Sequence, residues 1–403
     1  MSRSEGNLIR DGGAASARRS QVPSHRLDPI EEAAYQLPPQ PAGVVGRMRL
    51  ERMLDEGARG ALTLVSAPAG TGKTVLASSW AARSHGTSTV VWVSLPHALL
   101  DPGTFWHLVG TGLGRHDVDV PEAVSSGPDV GGPSFTSSIT DGIRSHPRPV
   151  VLVLDCDGVL GGDVSGRLDS LIQGSGGRLR VVLLTREDPL LPLHRYRLAG
   201  ALTEVRMTDL AFTRDEARDM LTGMSVDLSE TGMDALIWRT QGWAAGLRMA
   251  AMALTHHEDR EEAARKLAGD TGTVAEYLMA EVLDTQPAGV RQLLLDTSVV
   301  DVLRPGLAAA LAGPQADRAL SFLVHGNAFL EEVGDVPGCY RYHHLFRELL
   351  RAQLAYESPA RSVHLHRVAG AWLAAHDQVG DAARQAIVNG DWEVAAGYVV
   401  DDL

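Results

Sequence analysis

The fold of this chain is decided by eight residues, Ala67-Pro68-Ala69-Gly70-Thr71-Gly72-Lys73-Thr74. They follow a short apolar run, Leu62–Val65, and precede a helical pattern that begins at Val75. A strand, a glycine-bearing turn, a lysine with a hydroxyl residue and then a helix are typical of a site for nucleotide phosphates. Small residues let backbone N–H groups approach phosphate oxygens, and the N-terminus of the helix adds partial positive charge. The stretch therefore predicts nucleotide binding, against the alternative of an ordinary glycine-rich turn.

Two side chains of this stretch have expected roles. Lys73 would reach the β- and γ-phosphates as a catalytic residue, and the Thr74 hydroxyl would bind Mg²⁺. Ala67 replaces the first glycine of the strict pattern, which is tolerable if that position does not need a positive φ. We thus expect ATP or ADP with Mg²⁺ as cofactors. The residues predicted to surround the nucleotide are Pro68, Ala69, Gly70, Thr71, Gly72, Lys73, Thr74 and Val75.

Length and composition limit the classes of protein to consider. The chain has 403 residues, 44% of them hydrophobic, and a net charge of −13, which argues against a broad nucleic-acid-binding face. Its two cysteines have no partner spacing and suit a reducing cytosol, and no apolar stretch approaches the ~20 residues of a membrane span. We expect a cytoplasmic protein without a membrane partner. Residues 1–40 resemble a disordered tail without a secretory signal.

Hydrophobic patterning divides the rest of the chain. From residue 41 to 212, apolar strands alternate with helical stretches, which predicts an α/β domain with a parallel sheet. Helices alone follow over 213–285, opened by a capping box at Thr213 and Glu216. A helix, a hairpin and a helix over 286–356 predict a winged-helix-like domain, and 357–403 predicts the first unit of a TPR-like helical repeat. The predicted strands are Leu62–Val65, Val90–Ser94, Val150–Leu154, Leu179–Thr185 and Leu202–Val205.

The remaining site residues come from strand ends. Asp155 follows the apolar run Val150–Leu154 and would hold Mg²⁺ opposite Thr74, unless it only caps the next turn. Asp157 is a weaker candidate for orienting the attacking water. Arg186, with Thr185, would sense the γ-phosphate, because parallel strands end at one edge of the sheet; the alternative is a surface arginine paired with Glu187 or Asp188.

A short segment before the first strand is a further candidate. The backbone at Gly46 would approach the adenine, with Arg47 nearby, although a plain linker turn has the same appearance.

An ordered series of stretches resembles the ATPase part of the large LuxR-type transcriptional activators of the MalT kind. These belong to the STAND signal-transduction ATPases, relatives of NB-ARC switches. The resemblance runs from about residue 43 to the C-terminus. Its stretches are LVSAPAGTGKT (64–74), LVLD (152–155), LTREDPLLPL (184–193), LAFTRDEA (210–217), TQGWAAGL (240–247) and YRYHHLFRELL (340–350).

The resemblance implies an ATP/ADP-operated switch with slow hydrolysis. In such proteins an ATPase domain, a helical lid and a winged-helix domain close over the nucleotide. A helical-repeat domain senses an inducer, either a small molecule or a protein, and activated relatives self-associate. His343, or else His344, would correspond to the winged-helix histidine that contacts the β-phosphate; the alternative is a cap or packing residue.

The sequence departs from the family pattern in three ways. Cys156 stands where relatives usually carry a second acid, which displaces the catalytic acid to Asp157 or makes hydrolysis very slow. The sensor repeats are barely begun, and no helix-turn-helix follows. We therefore expect a truncated or naturally short member that does not bind a promoter by itself. A P-loop ATPase with true turnover and a degenerate interaction module are the alternatives.

Overall fold

The computed structural model describes residues 32–41, 43–84, 88–95, 101–120, 133–156, 158, 160–255, 257, 259–266, 272–325, 329–333 and 338–400. Asp157, the candidate for orienting water, lies outside the described residues. In the described part of the chain, no helix is both long and apolar enough to cross a membrane.

The first half of the described chain is a parallel five-stranded sheet between two layers of helices, as predicted. The strand order is β2-β3-β4-β1-β5, so β4 lies between the strand before the glycine-bearing loop and the strand that carries Asp155. The strands are β1 Leu62–Ser66, β2 Thr89–Leu95, β3 Val150–Cys156, β4 Leu179–Thr185 and β5 Leu202–Val205. The helices are α1 Met48–Gly57, α2 Lys73–Arg83, α3 Pro102–Gly114, α4 Pro133–Ser145, α5 Gly162–Gly174, α6 Leu193–Leu198 and α7 Met207–Leu210.

Burial on both faces explains why these strands read as continuous apolar runs. Every residue of β1 is buried, and alternate residues of β1, β3 and β4 contribute to two separate hydrophobic clusters. Because all strands run the same way, the carboxyl ends of β1, β3 and β4 meet at one edge of the sheet. That edge positions the candidate site.

The structure corrects the predicted extent of the N-terminal tail. Residues 32–40, which we assigned to the disordered tail, pack against the α/β domain. The carbonyl of Ala34 accepts a 2.7 Å hydrogen bond from the Ser94 amide, and Gln40 Nε2 donates to Ser78 Oγ at 2.6 Å. The Tyr35 ring lies 4.5 Å from the Arg115 guanidinium carbon. These contacts join residues far apart in sequence, so local composition did not reveal them.

A helical region follows the sheet. Its first helix begins with the predicted capping box: the Glu216 amide donates to Thr213 Oγ1, and the Thr213 amide donates to Glu216 Oε2. The last helix continues into a π-helical turn, Met279–Leu283. The helices are α8 Arg214–Gly223, α9 Glu230–Thr240, α10 Ala244–Thr255, α11 Arg260–Lys266 and α12 Gly272–Leu278.

The remaining elements contain the predicted hairpin between helices. The strands β6 Leu330–Glu332 and β7 Tyr340–Tyr342 pair antiparallel, and Leu303 forms an isolated antiparallel bridge with Tyr340. The helix after α16 begins at Pro359. The helices are α13 Ala288–Thr297, α14 Leu307–Ala312, α15 Ala316–His325, α16 His344–Glu357, α17 Pro359–Ala374, α18 Val379–Val388 and α19 Trp392–Val400.

Candidate nucleotide site

The loop after β1 has the backbone that a phosphate site requires. Gly70 and Gly72 have φ values of +71° and +87°, which only glycine adopts without strain. Ala67 does not have a positive φ. It is buried, and its amide donates to the Thr185 carbonyl at 3.2 Å. Alanine is therefore compatible with the first position of the motif.

Lys73 is held against the same loop. Its Nζ donates to the carbonyls of Ala67 and Pro68, at 2.6 and 2.9 Å. The side chain is buried, so its ammonium group is positioned at the loop rather than in solvent. A cation in this place can neutralise phosphate charge.

Thr74 and Asp155 meet across the edge of the sheet. Thr74 Oγ1 lies 3.0 Å from Asp155 Oδ2 and 3.2 Å from Oδ1. The strand continues through Cys156, whose Sγ donates to the Gly158 carbonyl, so Asp155 does not terminate it. A hydroxyl beside a carboxylate fits Mg²⁺, a hard cation that takes few protein ligands and shares the rest with phosphate and water. In the described residues, no group of three or more His, Cys, Asp and Glu side chains could hold a metal.

The end of β4 lies between the ends of β1 and β3, as expected. Its side chains, however, contact other residues of the chain. Thr185 Oγ1 donates to the Glu187 carbonyl at 2.7 Å. Arg186 Nη2 forms a 3.2 Å ion pair with Glu281 Oε2, which belongs to the π-helical turn 95 residues further on. The arginine thus connects the sheet edge to the helical region. The acid in this ion pair is Glu281, not Glu187 or Asp188, which were the partners expected in the alternative.

The helical region contacts the loop directly. Trp243 Nε1 donates to the Ala69 carbonyl at 3.1 Å, and the Ala245 amide donates to the Gly70 carbonyl at 2.9 Å. The turn before α10 is tight, because a Cβ at Gly242 would lie 2.7 Å from the Phe212 carbonyl oxygen. The loop and the start of α10 therefore form one hydrogen-bonded unit. We call the helical region α8–α12 the lid and this unit the loop–lid contact.

The structure places His343 beside the loop–lid contact. Its Nε2 lies 2.9 Å from the Thr240 carbonyl, and its ring packs edge-on against Trp243 and Phe329. Burial lowers the pKa of His343 to about 4, so the ring is neutral at pH 7. In the described part of the chain these contacts do not include the loop itself. His343 here packs between the lid and the hairpin, as in the alternative that we considered for it.

A cavity of about 250 Å³ opens beside the loop. Its walls come from the segment before α1, from Gly70, Gly72 and Val75, and from the helical region. They are largely apolar, which suits the faces of a purine base. The sequence reasoning missed part of this lining, although Phe212 and Ala245 lie within the quoted stretches 210–217 and 240–247. The missed residues include Val44, Val45, Phe212, Met220, Ala245 and Arg248.

The segment before α1 has a different arrangement from the expected one. Gly46, expected to approach the adenine, is exposed and is not among the residues that line the cavity; Val44 and Val45 line it instead. Arg47 lines it, but its guanidinium donates to the carbonyls of Leu210 and Ala211, both at 2.8 Å, and to Glu216. Burial lowers the pKa of Arg47, and the Glu216 carboxylate opposes that effect.

The chain is similar in sequence to several known proteins. The family model described as the MalT winged helix domain matches residues 279–362. The serine/threonine-protein kinase PknK of Mycobacterium tuberculosis is 31% identical over 393 residues, which cover 94% of this chain and 35% of PknK. The HTH-type transcriptional regulator MalT of Serratia proteamaculans is 30% identical over 339 residues, which cover 81% of this chain and 37% of MalT. The chain spans about a third of the length of these relatives.

A solved structure shows the same fold. A Walker-type ATPase of Pyrococcus abyssi superposes with a TM-score of 0.53 at 12% identity, over 78% of this chain and 99% of that one. Fold and site thus define a P-loop ATPase domain followed by a helical region with a winged helix domain. The chain is, more particularly, a MalT-like region that includes the MalT winged helix domain.

Proposed function

We propose that this chain is an ATP/ADP-binding switch of a LuxR/MalT-type transcriptional regulator, with slow hydrolysis. The observation that carries the proposal is the loop–lid contact: the carbonyls of Ala69 and Gly70 accept hydrogen bonds from the lid residues Trp243 and Ala245. A change in the loop conformation on nucleotide exchange must then break or rebuild contacts to the helical region, which is how a local phosphate signal reaches other domains.

The proposed nucleotide pose follows from the site. The base occupies the cavity lined by Val45 and Phe212, and the phosphates lie on the loop beside Lys73. Thr74 and Asp155 hold Mg²⁺, which neutralises phosphate charge when bound. Arg186 would exchange Glu281 for the γ-phosphate, so ATP and ADP would differ in whether the ion pair to the helical region survives.

Relatives of two kinds support a regulatory module. A region of this length is shared with a transcriptional regulator and with a protein kinase, so the module is compatible with different outputs. We propose the domains 41–212, 213–285, 286–356 and 357–403, and the matched range 279–362 overlaps the third. The last would be a TPR-like sensor of a small-molecule or protein inducer, with self-association on activation. Two buried free cysteines suit a cytoplasmic protein.

Calorimetric titration with ADP and with ATP·Mg²⁺ tests the proposal. The chain contains only two lysines, Lys73 at the loop and the exposed Lys266 on α11. We expect Lys73→Ala to weaken binding at least about tenfold, a loss of ~1.4 kcal/mol, and Lys266→Ala to have no effect. Turnover should stay below about one per minute, against a median of ~10 s⁻¹ for enzymes.

Each other outcome identifies an alternative. Fast steady-state hydrolysis that is lost in Asp157→Asn would indicate an ATPase with true turnover. Absence of binding to the intact chain would contradict both nucleotide functions and leave a degenerate interaction module.

A further inference from the structure

A second concave site lies far along the chain from the nucleotide site. It has a volume of about 650 Å³ and is formed where α16, the helix after the hairpin, meets α17 and the end of α18. Its walls combine apolar residues with polar ones, unlike the largely apolar nucleotide cavity. The lining includes Arg351 and Glu348 on α16, Ser362, Val363 and His366 on α17, and Val388 on α18.

Arg351 is the unusual member of this groove. It is half-buried, yet none of the described residues forms an ion pair or a side-chain hydrogen bond with it. Burial lowers the pKa of Arg351 and the positive charge of Arg347 lowers it further, while the carboxylates of Asp301 and Glu348 oppose both effects. A guanidinium stays charged under these conditions, so a half-buried arginine without a directly bonded carboxylate is unfavourable.

The acids near Arg351 are already paired with other groups. Glu348 Oε1 lies 3.2 Å from His344 Nε2 and 3.7 Å from Arg239 Nη1. Asp301 pairs with Arg347. An anion from outside would therefore meet Arg351 without competition from a dedicated carboxylate of the chain.

Other groups in the groove suit an anion with an apolar body. His366 is buried and its Nδ1 lies 2.6 Å from Gln385 Oε1, so Nδ1 donates to the amide oxygen. His366 and Arg351 line the same groove. Burial lowers the pKa of His366, the hydrogen bond with Gln385 opposes this, and the positive charge of Arg351 lowers the pKa further. The partly exposed Val363 and Val388 supply an apolar wall.

We propose that this groove binds a small organic anion, a carboxylate or a phosphate monoester with an apolar body, whose oxyanion pairs with Arg351. A planar guanidinium matches both oxyanions through two parallel hydrogen bonds. Because the groove is shared by α16 and by the helices that follow it, the ligand connects the winged-helix unit to the first helical hairpin. The site does not depend on the nucleotide function proposed above.

The test uses the full chain carrying Lys73→Ala, so that the loop does not take up a phosphate probe. The probes are phenyl phosphate, benzoate and the uncharged benzamide, titrated by calorimetry or ligand-observed NMR. We expect the two anions, or one of them, to bind with a Kd in the millimolar range or tighter, and benzamide to bind at least about tenfold more weakly. Arg351→Gln should weaken the anion at least about tenfold, a change that this kind of titration resolves. Arg318→Gln, at an exposed arginine of α15, is the matched control and should bind as the parent does.

A second pair of variants covers the case in which Arg351→Gln disturbs folding. Ser362→Glu places a carboxylate in the groove and should abolish anion binding, whereas Ser362→Gln adds similar volume without charge and should retain it. The proposal is overturned if neither anion binds at about 10 mM, if benzamide binds as well as the anions, or if the Ser362 pair behaves alike. Preferential binding of phenyl phosphate would assign the phosphate monoester class, and preferential binding of benzoate the carboxylate class.

Discussion

Thr74 and Asp155 are 81 residues apart in sequence, but their oxygens lie 3.0 Å apart. Each residue alone has an ordinary alternative explanation: a helix N-terminal hydroxyl, or an aspartate near the end of a strand. Their contact favours a shared cation site, because a carboxylate and a hydroxyl in adjacent positions supply the hard oxygen ligands that Mg²⁺ prefers. Among single residues, this pair gives the sharpest test of the nucleotide site.

We expect Asp155→Asn to remove most of the Mg²⁺ dependence of ATP binding. The amide can still accept the Thr74 hydrogen bond, so the fold should persist, but it carries no charge for the cation. Affinity for ATP·Mg²⁺ should fall about tenfold, or ~1.4 kcal/mol, while affinity for ATP with EDTA should change little. Calorimetry with and without Mg²⁺ measures both. Asp163→Asn, at an exposed acid of α5, is the control, and an equal loss there would remove the assignment.

At the scale of elements, the strands were predicted to within two residues because their signal is local. A strand covered on both faces must be apolar throughout, and the loop after β1 needs glycine where φ is positive. The packed segment 32–40 was not predicted. Its order comes from contacts with remote elements, such as the hydrogen bond from the Ser94 amide to the Ala34 carbonyl, and local composition does not reveal such contacts.

The two positive-φ glycines of the loop separate backbone strain from contact with the lid. A Cβ at Gly70 would lie 2.7 Å from Ala245 Cβ and 2.9 Å from the Tyr277 hydroxyl, whereas a Cβ at Gly72 would meet only Ala244 Cβ at 3.8 Å. Both alanine variants carry the strain of a positive φ, about 1–2 kcal/mol. Only Gly70→Ala should also separate the loop from the lid. Hydrogen exchange of the Ala245 amide should accelerate at least about tenfold in Gly70→Ala compared with Gly72→Ala. Equal rates in the two variants would show that the loop–lid contact does not depend on this close approach.

At the scale of the whole molecule, the motifs indicated the phosphate end of the site, but not what surrounds it. The cavity takes its walls from the segment before α1, the loop, Phe212 and α10, so no single stretch reveals it. The Arg186–Glu281 ion pair and the burial of Arg47 under the helical region are likewise products of assembly. Sequence spacing reports chemistry that is local, whereas this site is assembled from residues far apart in the chain.

His343 is where the lid and the hairpin meet, so we expect its protonation to weaken their association. Its ring is surrounded by residues of several elements: Thr240 from α9, Trp243 from the turn before α10, Phe329 before β6 and the adjacent His344. Burial lowers the pKa of His343 in the folded chain to about 4, against 6.5 for the unfolded chain. The unfolded state therefore takes up a proton as the pH falls through 6.5, while the folded state does not until about pH 4.

The free energy of unfolding should accordingly decrease as the pH falls from 6.5 to 4, and the contribution of this histidine is complete only above pH 6.5. At pH 5 the loss attributable to His343 is about 2 kcal/mol, since one pKa unit corresponds to ~1.4 kcal/mol. Urea titrations of the full chain and of His343→Gln at pH 7.5 and pH 5 isolate the effect, because the other acid-sensitive groups are common to both proteins. The difference in stability between them should shrink by that amount at pH 5. A difference that stays constant between the two pH values would mean that His343 is protonated in the fold and does not hold the lid and the hairpin together as a neutral ring.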